Sequence, residues 1–139
     1  MFGAKASAVG LKFGYHNHIQ EFASIDGAIA YVELLKRTYP SHVTMELDCG
    51  WAIVAGASPK GYLHNCPSRI TMLHVKDFKR PSSPTAPGEK YQSTELGRGF
   101  IDYQPIFAEA AKAKNIKHIF VEQEDFDVPA EEWLKIDAD

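Results

Sequence analysis

The sequence has little cysteine, no excess of basic residues and no long apolar run. Its 139 residues include two cysteines, Cys49 and Cys66, whose separation fits neither a metal-binding motif nor a disulfide framework. The net charge of -3 argues against nucleic acid as a partner, because nucleic-acid-binding surfaces are basic. The apolar runs are too short to cross a membrane, and the first residues lack the pattern of a signal peptide. We therefore expect a cytoplasmic protein of about one domain that binds neither nucleic acid nor a membrane.

Four short apolar segments recur along the chain, and each of them ends in ionisable residues. They lie at 11–18, 43–48, 70–77 and 118–122, separated by segments of helical periodicity or by turn-rich loops. Strands that alternate with helices are typical of a parallel sheet. Ligands of parallel α/β proteins collect at the carboxyl ends of the strands. These four ends are therefore the best candidates for a functional site.

Alternation within each strand predicts which side chains share a face, because residues two apart point the same way. In the third segment, Leu73 and Val75 should lie on one face, with Ile70 and His74 on the other. One face of every strand is apolar and should pack under helices. That face would contain Leu11, Phe13, Val43, Met45, Leu47, Leu73, Val75, Ile119 and Val121. A single histidine at a strand end is more often a partly buried structural residue, but four ends of the same parity favour a site.

Start and stop signals place five helices along the chain. We expect them at 1–9, ended by Gly10; at about 27–38, capped by Asp26; from Ser58 and Pro59; from Asp102 to Lys114; and from Pro129 to Ile136. The segment 78–100 is predicted to be a loop with several prolines. Loops of this length in compact domains are often functional.

Residues at the strand ends could bind a divalent metal ion. Asp48, His74 and Glu122 offer oxygen and nitrogen ligands, and His16 or His18 could supply a fourth. Such a mixed set suits Mn²⁺, Mg²⁺, Co²⁺ or Zn²⁺ and leaves positions open for substrate. An ion there would polarise a carbonyl group and acidify the adjacent C–H bond. The residues that could then move the proton are Glu122, Glu21, Glu46 and His18.

Three further residues could bind a substrate. Lys76 and Arg80 follow the third strand at a distance suited to holding a hydroxyl, carboxylate or phosphate group. The alternative for these two is a solvated basic loop. Trp51 could stack on the face of a sugar, and the alternative is a loop aromatic that packs on the core.

Five segments, spread over almost the whole chain, match the motifs of a known family. They are Gly14-Tyr15-His16-Asn17-His18 with Glu21-Phe22, Glu46-Leu47-Asp48, Leu73-His74-Val75-Lys76-Asp77, Glu95-Leu96-Gly97-Arg98-Gly99 with Ile101-Asp102, and Phe120-Val121-Glu122-Gln123. On these segments the chain resembles the sugar phosphate isomerase/epimerase family, of the xylose isomerase-like TIM barrel type. The family usually holds its metal with Glu, Asp, His and Glu from the last four barrel strands. Asp48, His74 and Glu122 match the second, third and fourth of these ligands.

The chain departs from the family pattern at three positions. The first ligand position falls at His16 rather than at a glutamate, so the usual pair of opposed, proton-shuttling glutamates would need Glu21 as a substitute. Trp51 stands where many epimerases carry a histidine on the substrate side. Arg98 lies in a glycine loop that often holds Asp or Lys.

The resemblance implies a TIM (β/α)8 barrel, of which this chain matches only the last four strands. We therefore expect residues 1–139 to form a single partial domain, with four parallel strands and helices on their outer face. The inner face, including Ile70, Met72 and Phe120, would lack the strands that normally pack across the barrel. A missing amino-terminal half or a second copy of the chain would cover it.

Three functions are compatible with these observations. The first, implied by the resemblance, is a metal-dependent isomerase or epimerase that acts on a sugar or cyclitol through an enediolate. A dehydratase or lyase that begins with the same proton abstraction is a variant of it. The second function is a truncated, non-catalytic half-barrel that keeps its metal ligands. The third is a nuclease like the more distant endonuclease IV, which the charge of the chain disfavours.

Overall fold

The computed structural model describes residues 2–81 and 91–138, in which short strands alternate with helices. The strands are β1 (Gly14–His16), β2 (Ser24–Ile25), β3 (Ala28–Ile29), β4 (Thr44–Asp48), β5 (Ile70–Val75), β6 (Asp77–Phe78), β7 (Ser93–Thr94) and β8 (His118–Val121). The helices are α1 (Phe2–Ala8), α2 (Ala30–Arg37), α3 (Cys49–Val54), α4 (Pro59–Asn65), α5 (Gln104–Ala110) and α6 (Ala130–Ala138), with one 3₁₀ turn at Gln20–Phe22.

The four strands predicted from the sequence form one parallel sheet in the order β1-β4-β5-β8. Each connection between successive strands of this sheet contains at least one helix. This arrangement confirms the predicted fold class. The two small antiparallel ribbons, β2-β3 and β6-β7, lie outside this sheet.

The core lies on the outer face of the sheet, between the central strands and the helices. Met45, Leu47, Leu73 and Val75 are fully buried there, as alternation predicted. Helix α3 contacts β5, and α4 contacts both α3 and α5, so these three helices cover the centre of the sheet. Burying each such side chain stabilises the fold by about 1.5–3 kcal/mol.

The predicted coverage of this face is wrong at both edges of the sheet. Leu11 and Phe13, at the β1 edge, remain 64% and 37% exposed. In β8, Ile119 is 50% and Val121 is 43% exposed, because the one helix that follows this strand, α6, contains no buried residue. Among the described residues, helices therefore cover only the two central strands.

Ile70 lies on the opposite face from the one predicted. Met45 pairs with Ile70 and Glu46 pairs with Met72, so the register skips Thr71. This irregularity breaks the alternation and turns Ile70, which is fully buried, toward the helix-covered face with Met45. Thr71 instead pairs its hydroxyl with that of Thr44, at 2.6 Å.

Several helix boundaries also differ from the predictions. Asp26 does not cap a helix: it lies in the turn between β2 and β3 with a φ of 52°, and α2 begins only at Ala30. Helix α5 ends at Ala110 rather than at Lys114. Helix α3 was not predicted at all.

Three other boundary signals are confirmed. Ser58 caps α4 by accepting a hydrogen bond from the Gly61 amide at 3.1 Å. Gly10 follows α1 with a φ of 78°, a left-handed conformation that suits glycine. Asp102 accepts a hydrogen bond from the Gln104 amide at the start of α5. The predicted loop lies partly outside the described residues, and its described ends form β6 and β7.

In the part of the chain that the structure describes, helices are too short or too polar to span a membrane.

Candidate metal centre and active site

Three strand ends bring His16, Asp48 and His74 together at the carboxyl edge of the sheet. One ligand atom from each lies within 4.8 Å of the other two. His16 Nε2 is 3.8 Å and His74 Nδ1 is 3.6 Å from the same atom, Asp48 Oδ2. The sequence predicted this convergence from the parity of the strands.

Neighbouring groups fix the orientation of these side chains. The Asn17 side chain bonds both the amide and the carbonyl of Asp48, at 3.0 and 3.2 Å. Asp48 Oδ1 accepts a hydrogen bond from the Trp51 amide at 2.8 Å and so caps α3. Glu46 Oε2 lies 3.1 Å from His16 Nδ1, which leaves Nε2 of that ring directed at Asp48.

Buried polar atoms at this site lack hydrogen bonds. Asp48 Oδ2, His74 Nδ1 and Glu122 Oε2 are shielded from solvent, and none forms a well-directed hydrogen bond within the described residues. The Asp48 carboxylate raises the pKa of His74, and burial opposes the rise only in part. Because a buried polar group without a hydrogen bond is costly, Asp48 Oδ2 and His74 Nδ1 fit a bound cation, whereas Glu122 Oε2 already pairs with the Lys76 ammonium.

Glu122, predicted as a metal ligand together with Asp48 and His74, lies beside this group but not within it. Its Oε2 is 3.4 Å from His74 Nδ1, and it forms an ion pair with Lys76 Nζ. The prediction that Glu122 binds a metal therefore stays a prediction. The structure shows instead that an internal ammonium group contacts its carboxylate.

Lys76 is a buried cation at the edge of the site. Its side chain is inaccessible to solvent, and Nζ lies 3.0 Å from Glu124 Oε1 and 3.7 Å from Asp48 Oδ2. Burial alone would lower the pKa of Lys76, but the surrounding carboxylates outweigh burial and raise it. Gly50 makes room for the stem, because a Cβ there would lie 2.5 Å from Lys76 Cγ.

Glu21 and His18 lie on the segment that follows β1. Glu21 accepts hydrogen bonds from the Tyr15 hydroxyl and the His18 amide, both at 2.8 Å. Burial raises the pKa of Glu21, but these hydrogen bonds outweigh it and the net shift is downward, which favours the carboxylate. Burial, together with the hydrogen bond to Glu21, raises the pKa of Tyr15 to about 12. The His18 ring lies 4.9 Å from the His16 ring, so His18 borders the site.

Trp51 and Arg80 occupy different surroundings. The centroid of the Trp51 ring lies 5.0 Å from that of Phe78 and 5.0 Å from Lys76 Nζ. Trp51 therefore packs beside the buried Lys76 side chain. Arg80 is exposed, with its guanidinium 5.9 Å from the Phe100 ring. The structure thus brings Trp51 and Lys76 to the site and leaves Arg80 on a surface loop.

Sequence reasoning did not assign a role to Asp77, which is fully buried next to Lys76. Its carboxylate accepts hydrogen bonds from the amides of Phe78, Gly97, Gly99 and Ile101, at 2.9–3.1 Å. These bonds tie the glycine loop to the end of β5. The Leu73–Asp77 motif includes this residue, but nothing in the sequence indicated that its hydrogen-bond donors lie some twenty positions further along the chain.

Comparison with known proteins places this architecture in a recognisable class. No known family profile matches the sequence. The inosose dehydratase of Geobacillus kaustophilus is 29% identical over 125 residues, which cover 84% of this chain and 40% of the relative. A crystal structure of a sugar phosphate isomerase/epimerase from Parabacteroides distasonis superposes with a TM-score of 0.75 at 27% identity, over 98% of this chain and 48% of that one.

A third structure, of the IolI protein with a bound zinc atom, has a TM-score of 0.58 at 14% identity and covers 99% of this chain and 65% of that one. The fold is thus that of about half of a TIM barrel. The resemblance predicted from the sequence is confirmed: this chain is similar to the sugar phosphate isomerase/epimerase and xylose isomerase-like TIM barrel proteins. The chain spans about half the length of the relatives it matches.

Proposed function

We propose that this chain carries the metal-binding and proton-transfer residues of an isomerase or epimerase that acts on a sugar or cyclitol through an enediolate. The observation that carries the proposal is the pair of buried atoms, Asp48 Oδ2 and His74 Nδ1, that lack hydrogen bonds beside His16. Their position at the carboxyl edge of a parallel sheet is where such enzymes act. The names of the similar proteins support a small sugar or cyclitol as substrate.

His16, Asp48 and His74 are the residues that would hold a divalent metal ion. Two imidazoles and a carboxylate fit such an ion and leave positions open for substrate oxygens. The zinc atom in the similar IolI structure supports a divalent metal here. When bound, the ion would supply Lewis acidity toward a carbonyl oxygen.

Proton transfer is the task that we assign to Glu122, with His18 and Glu21 as further candidates. Glu122 pairs as a carboxylate with the Lys76 ammonium, and a carboxylate can accept a proton from carbon. Glu21 is likewise held as a carboxylate by its two hydrogen bonds. In an isomerase, the same carboxylic acid would then give the proton to the neighbouring carbon while a hydroxyl proton moves between the two oxygens. In an epimerase, Glu21 or His18 would give a proton to the opposite face of the same carbon.

Lys76 and Trp51 complete the proposed site. Lys76 balances the charge of the carboxylates around it, and Trp51 offers an apolar ring next to that ammonium. A buried cation of this kind stabilises negative charge that develops on a substrate oxygen.

A dehydratase is a second candidate, because an inosose dehydratase is among the similar proteins. The same carboxylate would remove the proton beside the carbonyl, and the hydroxyl on the next carbon would leave as water after taking a proton from the carboxylic acid so formed. The two functions share their first step and differ in their product.

Deuterium exchange distinguishes these functions from a non-catalytic half-barrel. The chain would be incubated in D₂O with Zn²⁺, Mn²⁺, Co²⁺ or Mg²⁺ and a panel of ketoses and inososes. We expect deuterium at the carbon beside the carbonyl, seen by NMR, and its loss with EDTA or in Glu122→Gln. Glu131→Gln, an exposed change on α6, is the matched control.

The reaction products distinguish the isomerase or epimerase from the dehydratase. An isomer or epimer of the substrate supports the first, and an unsaturated product with ultraviolet absorbance supports the dehydratase. Turnover without exchange, or turnover that survives metal removal, would contradict both. Metal binding without exchange on any substrate would support the non-catalytic half-barrel.

A further inference from the structure

We infer that this site selects Zn²⁺ or Co²⁺ over Mg²⁺ and Mn²⁺, because His16 adds a second imidazole and Lys76 holds Glu122 away from the ligand group. The inference rests on the proposed metal site but not on the proposed reaction. It concerns ligand identity, which metal binding measures directly.

The first argument is the composition of the ligand group. His16, Asp48 and His74 are the mutually close donors found in the described residues, so nitrogen outnumbers oxygen by two to one. Imidazole suits zinc, cobalt and other late transition ions, whereas magnesium and manganese prefer oxygen ligands. A group of two imidazoles and one carboxylate therefore favours the later ions more than a carboxylate-rich group would.

The second argument is that His16 is oriented as a ligand. Glu46 Oε2 lies 3.1 Å from His16 Nδ1, and a carboxylate in that position accepts the Nδ1–H. The lone pair then lies on Nε2, which is the atom directed at Asp48 Oδ2. Metal-ligating histidines commonly donate their other ring N–H to a carboxylate in this way. The contact fixes both the tautomer and the direction of the ring.

The third argument concerns the carboxylate that is missing from the group. Glu122 Oε2 pairs with Lys76 Nζ, and that ammonium is held in place by Glu124 at 3.0 Å and by its own complete burial. The site thus already contains an internal cation where a second carboxylate ligand would otherwise act. Lys76 thus occupies the Glu122 carboxylate, and its ammonium also lies 3.7 Å from the ligand atom Asp48 Oδ2.

Substitution of His16 tests the inference. We would titrate wild type, His16→Glu and the control His118→Glu, at the opposite end of the sheet, with each metal ion alone and compare the ratio of zinc affinity to manganese affinity. Zinc is expected to bind more tightly than manganese to almost any such site. The test is therefore the change in this affinity ratio between wild type and each variant. The ratio should fall by at least about tenfold in His16→Glu and remain near the wild-type value in His118→Glu.

Two further measurements guard against an uninformative variant. X-ray absorption of the zinc-loaded protein should show two imidazole ligands in wild type and one in His16→Glu. Lys76→Met should strengthen manganese binding, because Glu122 is then free to become an oxygen ligand. Lys79→Met, which removes a half-exposed lysine paired with Asp127, is the matched control. Thermal unfolding of each variant verifies that it is folded.

The outcomes separate this inference from the proposed function. An unchanged affinity ratio in folded His16→Glu, or a single imidazole in wild type, would overturn the selectivity and leave the metal site standing. If wild type bound none of the four ions, both the inference and the metal-dependent function would be wrong.

Discussion

The side-chain amide of Asn17 bonds both backbone groups of Asp48: its Nδ2 donates to the carbonyl at 3.2 Å and its Oδ1 accepts from the amide at 3.0 Å. Both residues are fully buried. Asn17 directly follows β1 and Asp48 ends β4, so this pair joins the ends of the two strands. It sets the position from which the Asp48 carboxylate reaches toward His16 and His74.

Asn17→Ala should therefore reduce both stability and metal binding. The change leaves a buried amide and a buried carbonyl of Asp48 without partners, which costs about 2 kcal/mol of unfolding free energy. Urea denaturation of the metal-free protein measures that loss, and a zinc titration measures the affinity. Asn65→Ala, at the exposed end of α4, should change neither quantity. Equal stability of the two variants would show that Asn17 does not support the site.

Removal of His74 tests the metal site itself. His74→Ala deletes one of the three mutually close donors, so zinc content after dialysis should fall sharply below that of wild type. His118→Ala is the control, because His118 starts β8, at the opposite end of the sheet. Atomic emission on both variants gives the answer. Equal metal content in wild type and His74→Ala would show that the proposed metal site is wrong.

Glu46 should influence metal affinity without binding the metal. Glu46→Gln keeps the shape of the side chain but loses the charge that accepts the His16 Nδ1–H. Changes of such supporting residues weaken metal binding by about 10–100-fold, and we expect the lower end because glutamine still accepts a hydrogen bond. Glu33→Gln, on the exposed face of α2, is the control. Wild-type affinity in Glu46→Gln would mean that this contact does not orient His16.

The strand ends could be predicted from the sequence because local alternation determines them. Asp48 and His74 each lie at the end of a strand whose apolar residues alternate over several positions. This alternation predicted that the two side chains lie on the same face of the sheet. Ile70 escaped this reasoning, because the register irregularity at Thr71 depends on pairing with β4 rather than on local pattern. Asp26 was misassigned for a related reason: aspartate favours tight turns as well as helix caps.

Contacts across long sequence separations were beyond prediction. Lys76 pairs with Glu124, forty-eight positions away, and no periodicity links a strand end to a segment beyond the next helix. The same applies to the bond between Asp77 and Gly97. Helix α3 was missed because Gly50 and the adjoining Trp-Ala-Ile-Val run contain no start or stop signal, while the cap is Asp48, already assigned to the site.

Asp77→Ala should be one of the most destabilising single changes in this chain. It leaves four backbone amides, from Phe78 to Ile101, without their carboxylate acceptor. Bonds to charged acceptors are worth about 1.5–3 kcal/mol each, and after relaxation of the loop we expect a total loss of at least about 3 kcal/mol. Asp102→Ala, which removes one exposed helix-start bond, should cost about 1 kcal/mol or less. Urea denaturation of both variants compares the two losses.

The edges of the sheet lead to the last prediction, that the chain self-associates. Strands β1 and β8 each have one unpaired edge within the described residues, and unpaired edges readily bind another strand. The exposed side chains there are apolar: Phe13 is 37%, Ile119 50% and Phe120 43% accessible. A two-fold pair that set β8 of one copy beside β1 of the other would form a ring of eight parallel strands.

Light scattering on the purified chain measures this directly. We expect a mass above that of the monomer, and Ile119→Lys should shift the protein toward the monomer, because a charge at an edge strand opposes pairing. Leu134→Lys, equally exposed but on α6, should leave the mass unchanged. A monodisperse wild-type monomer that unfolds cooperatively would show that β1 and β8 do not need a partner, and that the exposed apolar side chains at the edges are tolerated in water.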